Sequence, residues 1–247
     1  AEIYHYMQHA GDYGLTAANI SADIDAVVKR SRGVAKQLNQ GVTHLMKKNK
    51  ITVHMGDGRL TAANTLTVTK DGKSEELTAK NIILATGARA RDLPFAPADG
   101  KRIWTYRHAM VPPEMPKKLL VIGSGAIGIE FASFYNDMGA EVTVVEMLDR
   151  IVPVEDADVS NFLEKALKKQ GMTIMTGAGV EELKATATGV SAKIKGKDGK
   201  VIASEFTHSI VAIGIVPNTK NIGLEALGVE MDRGFLTTDP MCRTNVP

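Results

Sequence analysis

The first hundred residues combine one long amphipathic helix with several short strands. Apolar residues recur about every 3.6 positions between Ser21 and Asn49, which predicts a single helix there. The short apolar runs at 51–55 and 81–86 predict two strands. Residues 66–69 and 75–78 flank an Asp-Gly pair, and this arrangement predicts a hairpin with a tight turn.

The pattern changes after a proline-rich connection, within which we place a boundary near residue 112. Beyond it, three apolar strands alternate with two helices, and such a β-α-β-α-β series predicts parallel strands. Three shorter strands follow that resemble an antiparallel meander, and a last apolar strand closes the series. The predicted helices cover 126–138 and 154–170, and the predicted strands cover 119–122, 141–146, 172–175, 180–184, 190–195, 201–205 and 209–213.

Composition narrows the class of protein without identifying its chemistry. The chain has 247 residues, of which 44% are hydrophobic and 23% are charged, as in ordinary globular proteins. A formal net charge of +2 offers no basic excess for nucleic acid, and no apolar run is long enough to span a membrane. We therefore expect a cytoplasmic protein that binds neither nucleic acid nor membrane. The single cysteine, Cys242, excludes an intrachain disulfide, and we expect its side chain to be buried.

A glycine-rich turn lies between the first predicted strand of the β-α-β-α-β series and its helix. Gly123 allows a tight turn, Gly125 lets a diphosphate approach the backbone, and Gly128 lets helix and strand pack closely. The free amides at the start of the helix favour an anion. The motif thus predicts a dinucleotide site formed by Gly123, Ser124, Gly125, Ala126, Ile127 and Gly128.

An acidic residue ends the second strand of the same series. Glu146 follows Gly128 by 18 positions, where a carboxylate can accept hydrogen bonds from the 2′-hydroxyl of a ribose and repel a 2′-phosphate. This placement favours NAD over NADP. The nearby Arg150 is the counter-argument, since an arginine can hold a 2′-phosphate.

Four stretches of the sequence carry a more specific resemblance. They are Ala85–Pro94, Lys117–Glu146, Val211–Phe235 and Arg243–Pro247. Together they resemble the flavin-dependent pyridine nucleotide-disulfide oxidoreductases, and among these the members that oxidise dihydrolipoyl groups with NAD. The resemblance implies an α/β fold, with a Rossmann-like NAD-binding domain of parallel sheet plus β-meander and part of a similar FAD-binding domain. The implied domains are 1–111 for FAD, 112–237 for NAD, and 238–247 as the start of a return segment into the FAD domain.

The resemblance assigns several residues to FAD. Gly58 matches a glycine whose backbone meets the adenosine side of FAD, and Thr86, Gly87 and Ala88 match a turn that lies along this cofactor. Glu130 matches an acid that pairs with a lysine beside the flavin, where it can tune the local charge. No other residue of the chain is a candidate for a catalytic role.

Other residues are assigned to NAD. Val180 matches an apolar contact to the adenine, and Gly214 matches a glycine near the nicotinamide. Ala126 stands where relatives carry a bulkier residue between flavin and nicotinamide, which implies a more open pocket. Ile215 stands where relatives commonly carry an arginine, so any polar contact made by that arginine is lost or replaced.

Two parts of the family pattern do not occur in this sequence. One is a first glycine motif followed by a redox-active pair of cysteines, and the other is a flavin-binding Gly-Asp motif followed by a domain with a catalytic His-Glu pair. We interpret the sequence as an internal fragment, inactive by itself, of an oxidoreductase almost twice as long. In that enzyme, electrons pass from dihydrolipoyl groups through a disulfide and FAD to NAD. The implied partners are the lipoyl domains of 2-oxo acid dehydrogenase complexes and a second copy in a homodimer.

Two alternatives stay open at this point. Another flavin disulfide reductase, such as a soluble transhydrogenase or a mercuric reductase, shares the motifs that the chain contains. The residues that distinguish these enzymes lie in the parts that the sequence does not include. A non-catalytic NAD-binding fragment is the alternative of a different class.

Overall fold

The computed structural model describes residues 1–247, which form two compact units. Unit 1 comprises Ala1–Gly33 and Ala90–Gly214, and unit 2 comprises Val34–Arg89 and Ile215–Pro247. Domain limits after residues 111 and 237 remain a prediction.

The long helix predicted near the N-terminus is confirmed. Helix α1 (Glu2–Gln8) and a 3-10 turn (Ala10–Tyr13) precede helix α2 (Ile24–Lys48). The Asp23 carboxylate accepts hydrogen bonds from the amides of Asp25 and Ala26, so it fixes the first turn of α2. No side chain of α2 is buried, although its apolar positions recur at helical spacing. No helix in the chain combines the length and the apolarity that a membrane crossing requires.

Unit 2 contains an antiparallel three-stranded sheet built from β1 (Asp57–Ala62), β2 (Thr65–Lys70) and β3 (Lys73–Thr78). The predicted hairpin is β2–β3, and its turn places Asp71 and Gly72 at positive φ, as Asp-Gly hairpin turns require. The strands predicted at 51–55 and 81–86 are wrong, because neither run pairs with a neighbour. Ile83, in the middle of the second run, is 91% exposed.

Unit 1 is built on a five-stranded sheet. Its strands and helices are β5 (Ile103–Trp104), α3 (Tyr106–Ala109), β6 (Lys118–Ile122), α4 (Ala126–Asp137), β7 (Glu141–Val145), α5 (Ala157–Lys169), β8 (Thr173–Met175) and β12 (His208–Val211). The neighbouring strands are all parallel, in the order β5-β12-β6-β7-β8. The predicted β-α-β-α-β series forms the strands β6, β7 and β8, which helices α4 and α5 connect.

The predicted meander is confirmed as an antiparallel sheet of β9 (Gly179–Ala185), β10 (Val190–Lys195) and β11 (Val201–Phe206). The remaining strands are short. They are β4 (Ala88–Ala90), which pairs with β13 (Ile215–Pro217), and the pair β14 (Met231–Asp232) and β15 (Phe235–Leu236).

The parallel sheet of unit 1 has a hydrophobic core on each face. In β6, Leu119 and Val121 belong to the core that α4 and α5 cover, whereas Leu120 and Ile122 belong to the core beneath the meander. A strand buried on both faces is continuously apolar, which explains why β6 lacks an alternating pattern. Unit 1 is therefore a three-layer α/β/β structure, as expected for the predicted fold.

Trp104 and Cys242 lie in contrasting environments. Trp104 is fully buried in β5, and its indole nitrogen donates to the Lys101 carbonyl oxygen. Cys242, expected to be buried, is exposed in a turn where its φ is 62°. The prediction of burial is wrong: Cys242 ends a surface turn, and its amide donates to the Asp239 carbonyl oxygen at 2.9 Å.

Candidate functional site

The glycine-rich turn lies at the carboxyl ends of three parallel strands. It follows β6 directly, Glu146 follows β7, and Gly214 lies a short distance beyond β12. The amide of Gly123 donates to the Val145 carbonyl oxygen at 2.9 Å, which ties the turn to the end of β7. In open α/β sheets, ligands bind at this edge, where the strand order changes direction.

Each glycine of the turn has a distinct steric environment. Gly123 has a φ of 97°, and a Cβ there would collide with the carbonyl oxygen of Ala212. A Cβ on Gly128 would collide with the carbonyl oxygen of Gly123, so this glycine allows α4 to approach β6. A Cβ on Gly125 would meet no atom within 4 Å. The turn is therefore closed at its two ends and open in the middle, where a diphosphate needs access to the backbone.

The start of α4 provides unpaired amides beside this opening. Gly125 is the N-cap residue, and no side chain caps the helix. The amides of Ala126 and Ile127 therefore have no partner within the helix and can donate to an anion. The positive end of the helix dipole acts in the same direction.

Glu146 lies beside the turn, with 8% of its surface exposed. Its Oε2 accepts hydrogen bonds from the amide nitrogen of Ser124 at 2.9 Å and from the Ser124 hydroxyl at 2.7 Å. Its Oε1 accepts one from the Leu148 amide at 2.8 Å. The carboxylate is thus fixed between the glycine turn and the segment that follows β7. The sequence did not reveal these bonds, because Ser124 lies 22 positions from Glu146.

The backbone around Glu146 continues toward the predicted adenine contact. The Glu146 amide donates to Met175, the Ala178 amide donates to Glu146, and Gly177 donates to Leu148. These bonds bring the chain between β8 and β9 alongside the carboxylate. Val180 follows at the start of β9, half-buried against the core beneath the meander.

Arg150 forms a hydrogen bond within the segment that follows β7. Its guanidinium donates to the Pro153 carbonyl oxygen at 3.0 Å, within its own turn. This contact weakens the argument that Arg150 holds a 2′-phosphate.

The remaining predicted residues of unit 1 lie at the edges of this site. Glu130 is exposed on the second turn of α4 and forms no ion pair. Gly214 is exposed, has a φ of 109°, and its carbonyl oxygen accepts the Arg91 amide at 3.0 Å.

Four of the residues predicted to meet FAD lie in unit 2. Asn218 donates hydrogen bonds to Thr86 and Gly87. Its side-chain amide donates to the Thr86 carbonyl oxygen at 3.1 Å, and its backbone amide donates to the Gly87 carbonyl oxygen at 3.0 Å. Gly87 has a φ of 69° and open space around it, and Ala88 begins β4. Gly58 lies in β1, with the Leu66 side chain beneath it.

Comparison with known proteins identifies the family. The model of the pyridine nucleotide-disulphide oxidoreductases matches residues 4–247. The chain belongs to this family. The match confirms the resemblance found in the sequence motifs and the α/β fold class expected from it.

Several curated relatives in this family are named dihydrolipoyl dehydrogenase. The protein from Zymomonas mobilis is 54% identical over 247 residues, which are the whole of this chain and 53% of the relative. The protein from Rhizobium etli is 44% identical, and the match covers the whole of this chain and 54% of that relative. The chain therefore spans about half the length of these family members.

Two solved structures show the same fold. LpdA from Mycobacterium tuberculosis superimposes with a TM-score of 0.88 at 31% identity, over 99% of this chain and 53% of its own. The flavoprotein disulfide reductase RclA from Escherichia coli superimposes with a TM-score of 0.80 at 23% identity, over 98% of this chain and 52% of its own, which supports the fold alone.

Proposed function

We propose that this chain is the dinucleotide-binding part of a dihydrolipoyl dehydrogenase, with NAD bound to unit 1 and part of FAD bound to unit 2. The observation that carries the proposal is the open middle of the glycine turn at Gly125, with the carboxylate of Glu146 fixed beside it. The 54% identity to a dihydrolipoyl dehydrogenase over the full chain favours this substrate class.

The residues of unit 1 fit NAD in their chemistry. The amides of Gly125, Ala126 and Ile127 donate to the diphosphate, and the missing Cβ of Gly125 leaves room for it. Glu146 accepts a hydrogen bond from the adenosine ribose. Val180 contacts the adenine, while Gly123 and Gly128 maintain the shape of the turn.

NAD is favoured over NADP for an electrostatic reason. Glu146 presents a carboxylate where NADP would place its 2′-phosphate, and two anions repel each other there. Arg150, the nearest candidate for binding such a phosphate, donates to the backbone of its own turn instead.

The residues of unit 2 fit a flavin nucleotide. Thr86 and Gly87 form an open backbone turn that Asn218 holds in place, and Ala88 follows it. Gly58 offers its backbone to the adenosine side.

When bound, FAD and NAD supply the hydride chemistry, whereas this chain binds and orients them. Gly214 lies toward the nicotinamide, and Glu130 adjusts the charge near the flavin.

The partners follow from the proposed reaction. A dihydrolipoyl dehydrogenase receives electrons from lipoyl domains of 2-oxo acid dehydrogenase complexes, and we propose the same for the protein that contains this chain. We further propose that it works in the cytoplasm as a homodimer.

Ligand titration and a reaction assay test the proposal. We expect the purified chain to bind NADH, detected by the change in NADH fluorescence, and to bind NADPH much more weakly. The native protein that contains the chain is expected to reduce NAD with dihydrolipoamide. Absence of NADH binding would contradict the site. If the protein does not oxidise dihydrolipoamide but transfers hydride from NADPH to NAD, the soluble transhydrogenase is favoured. If it reduces mercuric ion instead, the mercuric reductase is favoured. NADH binding without any of these reactions would favour a non-catalytic module.

A further inference from the structure

Ser124 supplies two of the three hydrogen bonds that hold the Glu146 carboxylate. Its amide and its hydroxyl both donate to Oε2, and Ser124 itself is fully buried. This position of a glycine-rich turn needs no side chain for its backbone geometry, so the hydroxyl calls for a separate explanation.

The geometry leaves one position on the carboxylate for a ligand. A carboxylate offers about four acceptor positions, two on each oxygen. The two donors of Ser124 occupy both positions of Oε2, and the amide of Leu148 occupies one on Oε1. By this count, the free acceptor position for a ribose hydroxyl is on Oε1.

Ser124 has no donor left for the diphosphate. Its N–H and O–H groups are both bound to Glu146, and its carbonyl oxygen accepts the Val152 amide at 3.0 Å. In this respect it differs from Ala126 and Ile127, whose amides lie in the uncapped first turn of α4.

We propose that Ser124 is a positioning residue that directs Oε1 of Glu146 toward the ribose of NAD and does not bind the diphosphate itself. This inference rests on the proposed function of unit 1. It makes Ser124 a determinant of the preference for NAD over NADP. Without the hydroxyl, the carboxylate keeps fewer restraints and can turn away from the ribose, which weakens both its attraction for a 2′-hydroxyl and its repulsion of a 2′-phosphate.

A double-mutant cycle on NADH binding tests this role. We expect Ser124→Ala to weaken NADH binding about three- to tenfold, because one of the bonds orienting the carboxylate is lost. NADPH binding should stay within about twofold of the wild type or become tighter. In a Glu146→Ala background, Ser124→Ala should change NADH binding less than about twofold, because the residue through which it acts is gone.

Ser209→Ala is the matched control, since Ser209 is fully buried in the same unit and its hydroxyl has no hydrogen-bond partner. It should leave both dissociation constants unchanged. If Glu146→Ala does not fold, as judged by thermal unfolding, Glu146→Leu, whose side chain cannot accept a hydrogen bond from Ser124, serves as the second background. A variant Ser124→Ala that binds NADH like the wild type would overturn the inference, and so would an equal loss in both backgrounds. If the wild type fails to bind NADH, the proposed function itself is contradicted.

Discussion

The imidazole of His208 packs against the indole of Trp104, with ring centroids 4.3 Å apart and 32° between the ring planes. Both side chains are buried, and β12 and β5 bring them together as parallel neighbours. Nε2 of His208 lies 3.1 Å from Nη1 of Arg102 and 3.4 Å from the Glu114 carboxylate. Because a guanidinium can only donate, Nε2 accepts from Arg102, and the proton is on Nδ1, which has no partner.

This environment makes the stability of unit 1 sensitive to acid. Burial, and after it the charge of Arg102, lower the pKa of His208 below its usual 6.5, although Glu114 and Asp99 oppose the shift. The unfolded chain therefore binds a proton at a higher pH than the folded chain does. We expect the free energy of unfolding to be highest above pH 6.5 and to fall as the pH drops through the lowered pKa of His208.

Chemical denaturation between pH 5 and pH 8 measures this effect, with the fluorescence of Trp104, the only tryptophan, as the signal. His208→Phe keeps a ring against Trp104 and removes the titrating group. The wild type should lose stability relative to this variant as the pH falls below 6.5. A constant difference between the two proteins over that range would show that His208 does not titrate as described.

The fold of unit 1 could largely be predicted from sequence, because its strands and helices alternate and each carries its own pattern. The strands predicted at 51–55 and 81–86 are wrong because these runs have no neighbouring strand to pair with. An apolar run shows that a segment can pair within a sheet, but a strand also needs a neighbour, and the run around Ile83 has none in this structure. The two-residue strand β5 was missed because pairing with β12, more than a hundred residues away, defines it.

In the candidate site, too, features formed by neighbouring residues could be predicted from sequence, whereas contacts between distant residues could not. Glycine spacing predicted the turn, and the steric environments of Gly123, Gly125 and Gly128 agree with the roles expected from it. The bonds between Ser124 and Glu146, and those from Asn218 to the Thr86–Gly87 turn, join segments that are distant in sequence. A single sequence carries no direct signal for such contacts.

Two glycines of the turn should respond differently to the same added methyl group. In Gly128→Ala the Cβ meets a backbone oxygen, so α4 must move, and we expect a loss of about 1–3 kcal/mol in unfolding free energy together with weaker NADH binding. In Gly125→Ala the Cβ enters open space, so stability should change by less than about 1 kcal/mol, the difference between these residues at an N-cap. NADH binding should nevertheless fall at least about tenfold, because the methyl group occupies the approach of the diphosphate.

Urea unfolding and NADH titration of both variants separate the two effects. Gly125→Ala is the decisive variant, since it is expected to lose affinity while its fold is retained. Normal NADH binding by this variant would place the diphosphate elsewhere.

Replacing Ser209 by alanine should stabilise the fold. Its hydroxyl is fully buried in β12, between β5 and β6, and has no hydrogen-bond partner. A buried hydroxyl without a partner costs about 1–3 kcal/mol, and replacement by alanine removes that cost with little change in volume. We expect Ser209→Ala to raise the free energy of unfolding by about 1 kcal/mol in urea denaturation. Ser160→Ala is the matched control, because the equally buried Ser160 hydroxyl donates to the Val152 carbonyl oxygen at 3.3 Å, and its loss should lower stability by about 0.5–1.5 kcal/mol. If both substitutions lower stability to the same extent, the Ser209 hydroxyl has a partner in solution, such as a buried water.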